Sequence, residues 1–217
     1  MRLYSYFNSS TSYRVRIALA LKNLEYEYVP VDIRHGHHRD GKYVDKINPS
    51  AGVPALIVGE GDERIALGQS LAIIDYLDGL CPEPRLIPLA LTARARVLEL
   101  ANLIACDIHP VNNLRVLRYL QGPLQVTEEQ KNTWYGHWIA EGLSAVERLV
   151  SAYGAAPYCF GAEPSLADCC LIPQIANALR MGCETAGYPK SMAIYQYAIQ
   201  QPAFVKAAPN QQPDFGR

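Results

Sequence analysis

Pro82, Pro84 and Pro88 lie within seven residues and divide the chain into two stretches of different patterning. Each proline fixes its own φ and lacks a backbone donor, so the segment interrupts helices and reads as a stiff linker. Before it, short aromatic and β-branched runs alternate with helix-forming runs; beyond it the spacing is helical throughout, with no convincing strand. The expected fold class is α/β plus all-α. Residues 1–80 form a strand-and-helix domain, 81–87 the linker, and 88–217 an all-helical bundle domain. A chain of 217 residues has room for two such small domains.

The densest signal in the first region is Ser9-Ser10-Thr11-Ser12-Tyr13-Arg14-Val15-Arg16-Ile17-Ala18-Leu19-Ala20-Leu21-Lys22. Arg2-Leu3-Tyr4-Ser5-Tyr6-Phe7 ahead of it is short and aromatic-rich, the pattern of a strand. The Ala/Leu/Ile run behind it lacks Gly and Pro and favours a helix. Four small hydroxyl residues between the two favour a turn and an N-cap. Unpaired backbone N–H groups and the helix dipole make such a terminus a resting place for an anion. An ordinary N-capped helix has the same local signature, so the remaining sequence must discriminate.

Residues 26–31 alternate as a strand, with Pro30 placing it at an edge. The polar, Gly-punctuated residues 34–41 read as a loop whose three histidines face solvent, and a short helix with Tyr43, Val44 and Ile47 inward follows. Val53-Pro54 precedes the apolar strand Ala55-Leu56-Ile57-Val58, where a cis bond is accessible and leaves Val53 free to offer N–H and C=O to an extended peptide; a trans proline opening an edge strand fits equally. Residues 63–67 return as a strand. Gly68-Gln69-Ser70 then leads into Leu71-Ala72-Ile73-Ile74-Asp75-Tyr76-Leu77 at helical spacing, with Ser70 expected as the N-cap.

In the second region, residues 89–120 form one long helix or a broken pair. Pro110 bends it, and His109 and Asn113, four apart, are expected to share a face. Thr127-Glu128-Glu129-Gln130 signals the start of another long helix. Ser165 with Asp168 forms a capping box that serves folding rather than chemistry. Arg180 ends the helix that follows, where a cation is favoured for its own sake. The Gln211-Gln212-Pro213-Asp214-Phe215 tail is expected to be only partly ordered.

The quoted motifs resemble those of the zeta-class glutathione transferases, the maleylacetoacetate and maleylpyruvate isomerases. The resemblance rests on the Ser9–Lys22 run, Val53-Pro54, Gln69-Ser70 with its helix, residues 106–117 and the Gln-Pro-Asp tail, and so spans essentially the whole chain. It implies a thioredoxin-like first domain and glutathione as cofactor. Ser9, Ser10 and Thr11 are then the candidates for activating the thiol and binding the cofactor. Val53, Gln69, Ser70, His109 and Asn113 are further cofactor-binding candidates, and Arg14, Arg115 and Arg180 would bind an acidic small-molecule substrate. In the implied reaction a thiolate adds to a conjugated cis double bond, the resulting single bond rotates, and elimination gives the trans isomer. A free thiol has pKa ~8.5, so donors must stabilise the thiolate. A transferase that conjugates or dehalogenates small electrophiles, and a non-catalytic binding module, remain open alternatives. Two departures from the family pattern stand out: Thr11 occupies a frequent cysteine position, and Asn8 a frequent arginine position.

Composition narrows the partners. With 20 basic and 21 acidic residues and no block of like charge, the chain lacks the basic footprint of nucleic-acid or anionic-membrane binders. Arg2 and the mixed residues after it do not form a signal peptide, and no apolar run approaches the ~20 residues of a membrane span, so a cytoplasmic protein is expected. Six cysteines without metal spacing read as buried apolar residues, and no metal is expected. The resemblance further implies a homodimer.

Overall fold

The computed structural model describes residues 1–216, which form two compact units: Met1–Ile87 together with Ile199–Arg217, and Pro88–Ala198. The first unit is built on a four-stranded sheet of order β2-β1-β3-β4, comprising β1 (Arg2–Ser5), β2 (Glu27–Pro30), β3 (Ala55–Val58) and β4 (Ile65–Gly68). β1 and β2 run parallel, with Leu3 opposite Tyr28, whereas β3 is antiparallel to both β1 and β4. The parallel β1–β2 pair requires a crossover, supplied by α1 (Ser10–Leu21). α2 (Gly41–Lys46) precedes β3, and α3 (Ser70–Leu80) follows β4. Pro30 closes an edge strand, where a missing ladder donor is tolerated.

Leu3, Val15, Leu19, Leu56, Ile73, Ile74 and Leu77 are fully buried and form the core where α1 packs on α3. Burying each such side chain contributes roughly 1.5–3 kcal/mol. The proline segment is fastened to this unit. Lys22 Nζ binds Asp78 Oδ1 at 2.8 Å and the carbonyls of Cys81 and Pro84 at 2.6 and 2.9 Å. Asp78 also accepts the amides of Leu86 and Ile87 at 2.7 and 3.1 Å.

The second unit contains α4 (Leu91–Asn102), α5 (Leu114–Gln121), α6 (Glu128–Tyr153), α7 (Leu166–Arg180) and α8 (Pro189–Ala198). α7 is buried on every side from Leu166 to Ile175, as a helix at the centre of a bundle must be. Its capping box is present: the buried Asp168 accepts from the amides of Cys159 and Ser165, both at 2.8 Å, and from Ser165 Oγ at 2.9 Å. Thr127 and Gln130 form the corresponding box on α6. Between α4 and α5 the chain passes through a π-helical turn, Leu103–Ile108, and a 3₁₀ turn, Pro110–Asn112. Gly142 of α6 lies directly against that π turn, since a Cβ placed on it would come 2.2 Å from Ile108 Cγ1.

The structure differs from the sequence expectations at several places. Ile199–Arg217, assigned with 88–217 to the helical domain, packs on the first unit, where α9 (Pro202–Ala207) contacts α1. The expected loose tail is held down: Gln212 and Asp214 are buried, and Gln212 donates to the carbonyls of Lys206 and Ala208 at 3.1 and 2.9 Å. Ser70 is the first residue of α3 rather than its cap; Gln69 holds the cap position. Of the three loop histidines, His38 is buried while His35 and His37 are exposed. The cysteines divide as well: Cys159, Cys169 and Cys170 are buried, Cys81 and Cys183 half-buried, and Cys106 exposed.

Candidate functional site

β1 delivers the chain into a turn whose Ser9 caps α1. Ser9 is extended (φ −80°, ψ 117°) and accepts the amide of Ser12 on its Oγ at 3.2 Å. Thr11 Oγ1 donates to the carbonyl of Val53 at 3.0 Å and lies 2.9 Å from Ser9 Oγ. A hydroxyl has one hydrogen, and Thr11's points to Val53, so Ser9 is the donor in the Ser9–Thr11 bond. The arrangement is directional: Ser12 N–H to Ser9, Ser9 O–H to Thr11, Thr11 O–H to Val53. Val53-Pro54 is cis, and the Val53 carbonyl expected to face a peptide already accepts one bond from within the protein. Its second lone pair is still available.

A second helix N-terminus belongs to the same assembly. Gln69 has φ 65° and ψ 116°, a left-handed backbone that costs a non-glycine residue about 1–3 kcal/mol and is concentrated at functional sites. Ser70 follows, and its Oγ accepts from Arg14 Nη1 at 3.3 Å. Arg14 is only 1% exposed, so its guanidinium lies beneath Ser70 and adds positive charge to a terminus that carries no acidic residue in its first turn. It therefore acts on anything bound at Ser70 through that hydroxyl and through its field, not by direct reach into solvent. α1 thus joins three candidate groups: its own hydroxyls, Val53 through Thr11, and Ser70 through Arg14.

Arg16, two residues on, was not a sequence candidate. It is fully buried, and its guanidinium donates to Ser5 Oγ, Tyr6 O, Phe7 O and Ala207 O at 3.2, 3.3, 2.9 and 2.9 Å. Burial lowers its pKa, opposed by nearby tyrosines and Asp214. It braces the backbone leading into Ser9, because Ser9 N–H itself donates to Tyr6 O at 3.0 Å.

The second unit holds the other candidates in two groupings. Asn113 is extended (φ −71°, ψ 150°) and caps α5, its Oδ1 accepting the amide of Arg115 at 2.8 Å. The helix is broken between His109 and Asn113, so the expected four-residue face does not exist there; His109 caps the π turn instead. Arg115 is exposed in the first turn of α5. Arg180 is exposed at the end of α7, where its guanidinium donates to Asn177, whose Nδ2 in turn donates to Tyr135 Oη at 2.6 Å. Burial raises the Tyr135 pKa, partly offset by the charge of Arg180. Asn177 and Tyr135 were not anticipated, although the three-residue spacing of Asn177 and Arg180 on one helix was a usable signal. Two cavities in this unit, of about 660 and 490 Å³, contain none of the sequence candidates. Among the described residues no cluster of three or more His, Cys, Asp or Glu side chains could hold a metal.

The donor set of the first unit fits a peptide with anionic ends: two helix N-termini free of acidic first-turn residues, one of them backed by Arg14 and without a side-chain cap, and a backbone carbonyl at Val53. The comparisons with known proteins agree with this fit. Residues 1–79 match the family model "Glutathione S-transferase, N-terminal domain". The maleylacetoacetate isomerase of Pseudomonas aeruginosa is 44% identical, covering 99% of this chain and 98% of its own. A solved structure of a maleylpyruvate isomerase, described as a bacterial zeta-class glutathione S-transferase, superposes with a TM-score of 0.93 at 40% identity, covering 99% of both chains. The maleylacetoacetate isomerase of Anaeromyxobacter dehalogenans, solved with glutathione bound in its active site, has a TM-score of 0.89 at 39% identity, covering 98% of this chain and 96% of that one. The chain belongs to the zeta class of the glutathione S-transferase family, with the maleylacetoacetate and maleylpyruvate isomerases.

Proposed function

We propose that this protein is a glutathione-dependent cis–trans isomerase acting on maleylacetoacetate or maleylpyruvate to give the fumaryl isomer. The observation that carries the reading is the Ser9–Thr11–Val53 relay at the N-terminus of α1, beside a second anion-ready terminus at Ser70. When bound, glutathione supplies a thiolate nucleophile that adds reversibly to the conjugated alkene and is not consumed.

The chain's own groups have separable tasks. Ser9 turns its hydrogen from Thr11 towards the sulfur and stabilises negative charge there, helped by the α1 dipole. Thr11 keeps its bond to Val53 and holds both in place. Ser10, the first residue of α1, is assigned as the second hydroxyl beside the sulfur. Gln69 and Ser70 receive the γ-glutamyl carboxylate at the α3 terminus, with Arg14 behind them. Residues 1–80 bind the cofactor in this scheme and the helical region selects the substrate. Arg115 and Arg180 are assigned to the substrate's carboxylate and developing enolate, where positive charge matters most as charge builds up. His109 and Asn113 are retained as cofactor neighbours, Asn113 offering its amide nitrogen while its oxygen caps α5.

Among the described residues no helix is long and apolar enough to cross a membrane. A cytoplasmic homodimer is part of the same proposal, tested by fractionation and by light scattering of the purified protein.

The deciding assay supplies purified protein with maleylpyruvate or maleylacetone, with and without glutathione, and follows isomerisation optically. Turnover that requires glutathione without consuming it supports the proposal. Substrate-dependent loss of free glutathione marks a conjugating or dehalogenating transferase instead, and no turnover with either substrate removes the isomerase reading.

A further inference from the structure

We infer that Asp214, near the end of the chain, is a positioning residue for the sulfur-facing turn. The inference rests on the reading that Ser9 faces the cofactor thiol. β1 ends at Ser5, whose carbonyl takes the last parallel bond, from Val31 N at 2.8 Å. The chain from Tyr6 to Ser9 therefore runs beyond the sheet and needs other partners for its backbone groups. Arg16 binds the carbonyls of Tyr6 and Phe7. The Phe7 amide donates to Asp214 Oδ2 at 3.0 Å, across 207 residues of sequence.

Asp214 is buried, and its second oxygen is engaged too, accepting from Tyr28 Oη at 2.6 Å. Its carboxylate therefore pins the turn to β2. The Phe215 ring packs edge-on against Phe7 with centroids 5.5 Å apart, and Arg16 Nε binds Ala207 O, so the tail holds this backbone at several points. Phe7 is two residues from Ser9. A bond from a carboxylate to a backbone amide is charge-assisted and directional, well suited to fixing where that amide lies. Small misplacements of a reacting group lower rates steeply, so release of the Phe7 amide disturbs the Ser9 hydroxyl without removing any group that touches the sulfur.

The test compares full-length wild type with Asp214→Ala, Asp214→Asn and Tyr28→Phe. Thiol ionisation of bound glutathione is followed by ultraviolet thiolate absorbance against pH, alongside kcat, the KM for glutathione and thermal unfolding. Asp214→Ala is expected to lower kcat about tenfold and to move thiol ionisation to higher pH, with a smaller change in KM. Tyr28→Phe, which keeps the Phe7 bond, should move the same quantities in the same direction but less. An Asp214→Ala protein that melts earlier yet keeps wild-type thiol ionisation and kcat overturns the inference, since Asp214 would then serve only as an anchor. Should that variant fail to fold, wild-type values in both Asp214→Asn and Tyr28→Phe overturn it equally. Wild-type protein that neither ionises bound glutathione nor isomerises substrate defeats the functional reading itself, and the inference with it.

Discussion

The Thr11 hydroxyl donates to the carbonyl of Val53 at 3.0 Å and so has no hydrogen left for a sulfur atom. Ser9, whose hydrogen rests on the Thr11 hydroxyl rather than on a backbone carbonyl, is the activator this geometry favours. Ser9→Ala is expected to lower kcat by roughly 10²–10³, the range for deleting one donor to developing charge. Thr11→Val should cost less, about tenfold, and Thr11→Ser should restore most of the loss because it rebuilds the bond to Val53. Steady-state kinetics of glutathione-dependent isomerisation measure both. Equal losses at the two positions would contradict this division of roles.

In the proposed scheme Ser70 and Arg14 serve binding rather than the chemical step. Ser70→Ala and Arg14→Met should each raise the KM for glutathione about tenfold, equivalent to ~1.4 kcal/mol, and leave kcat within about twofold. Isothermal titration with glutathione gives the same comparison without turnover. A fall in kcat at constant KM would place Arg14 in the transition state instead.

Lys22 and Asp78 fasten the proline segment through a buried ion pair and four backbone bonds. Removing Lys22 leaves the buried Asp78 with only the more distant Arg85, at 3.7 Å, as a cation. Lys22→Met is therefore expected to destabilise the protein by about 3–5 kcal/mol, read from the midpoint and slope of urea unfolding. Because the pair touches no candidate site residue, kinetic constants measured below the unfolding transition should stay near wild type.

The cysteines should react in two classes. Burial pushes the Cys159 thiol well above its ordinary pKa, with Asp168 adding to the effect. Cys169 and Cys170 are fully buried close to it in the fold, whereas Cys106 is exposed. Alkylation of native protein followed by peptide mass spectrometry should label Cys106 fully before it reaches these three. Early labelling of Cys159 would show that this region opens readily.

What was legible in the sequence was mostly local. The turn at Ser9, both capping boxes and the extent of α6 and α7 depend on residues within four positions of one another, and there short-range chemistry decides. The proline segment announced a boundary for the same reason. Long-range partners left no local trace: nothing around Asp214 indicates that its carboxylate binds Phe7 and Tyr28, and the polar tail reads as loose. Arg16 is a related case. A cation near a helix N-terminus is expected at the surface, yet four oxygen acceptors, three from Ser5, Tyr6 and Phe7 and one from the distant Ala207, make its burial tolerable. Asn113 shows the converse. Its spacing from His109 implied a shared face, but Pro110 forced a new helix start, and Asn113 became the cap that start required.

Gly142 and Ile108 make one further demand on the sequence. With 2.2 Å between the would-be Cβ and Ile108 Cγ1, the two positions share a single allotment of volume between α6 and the π turn. Gly142→Ala alone is expected to cost about 1–3 kcal/mol through overpacking, and Ile108→Val beside it should return part of that loss in thermal unfolding. Across related proteins these two sites should then drift as a pair, an enlarged residue at one accompanied by a trimmed residue at the other, so that inheritance at either position is conditional on its neighbour.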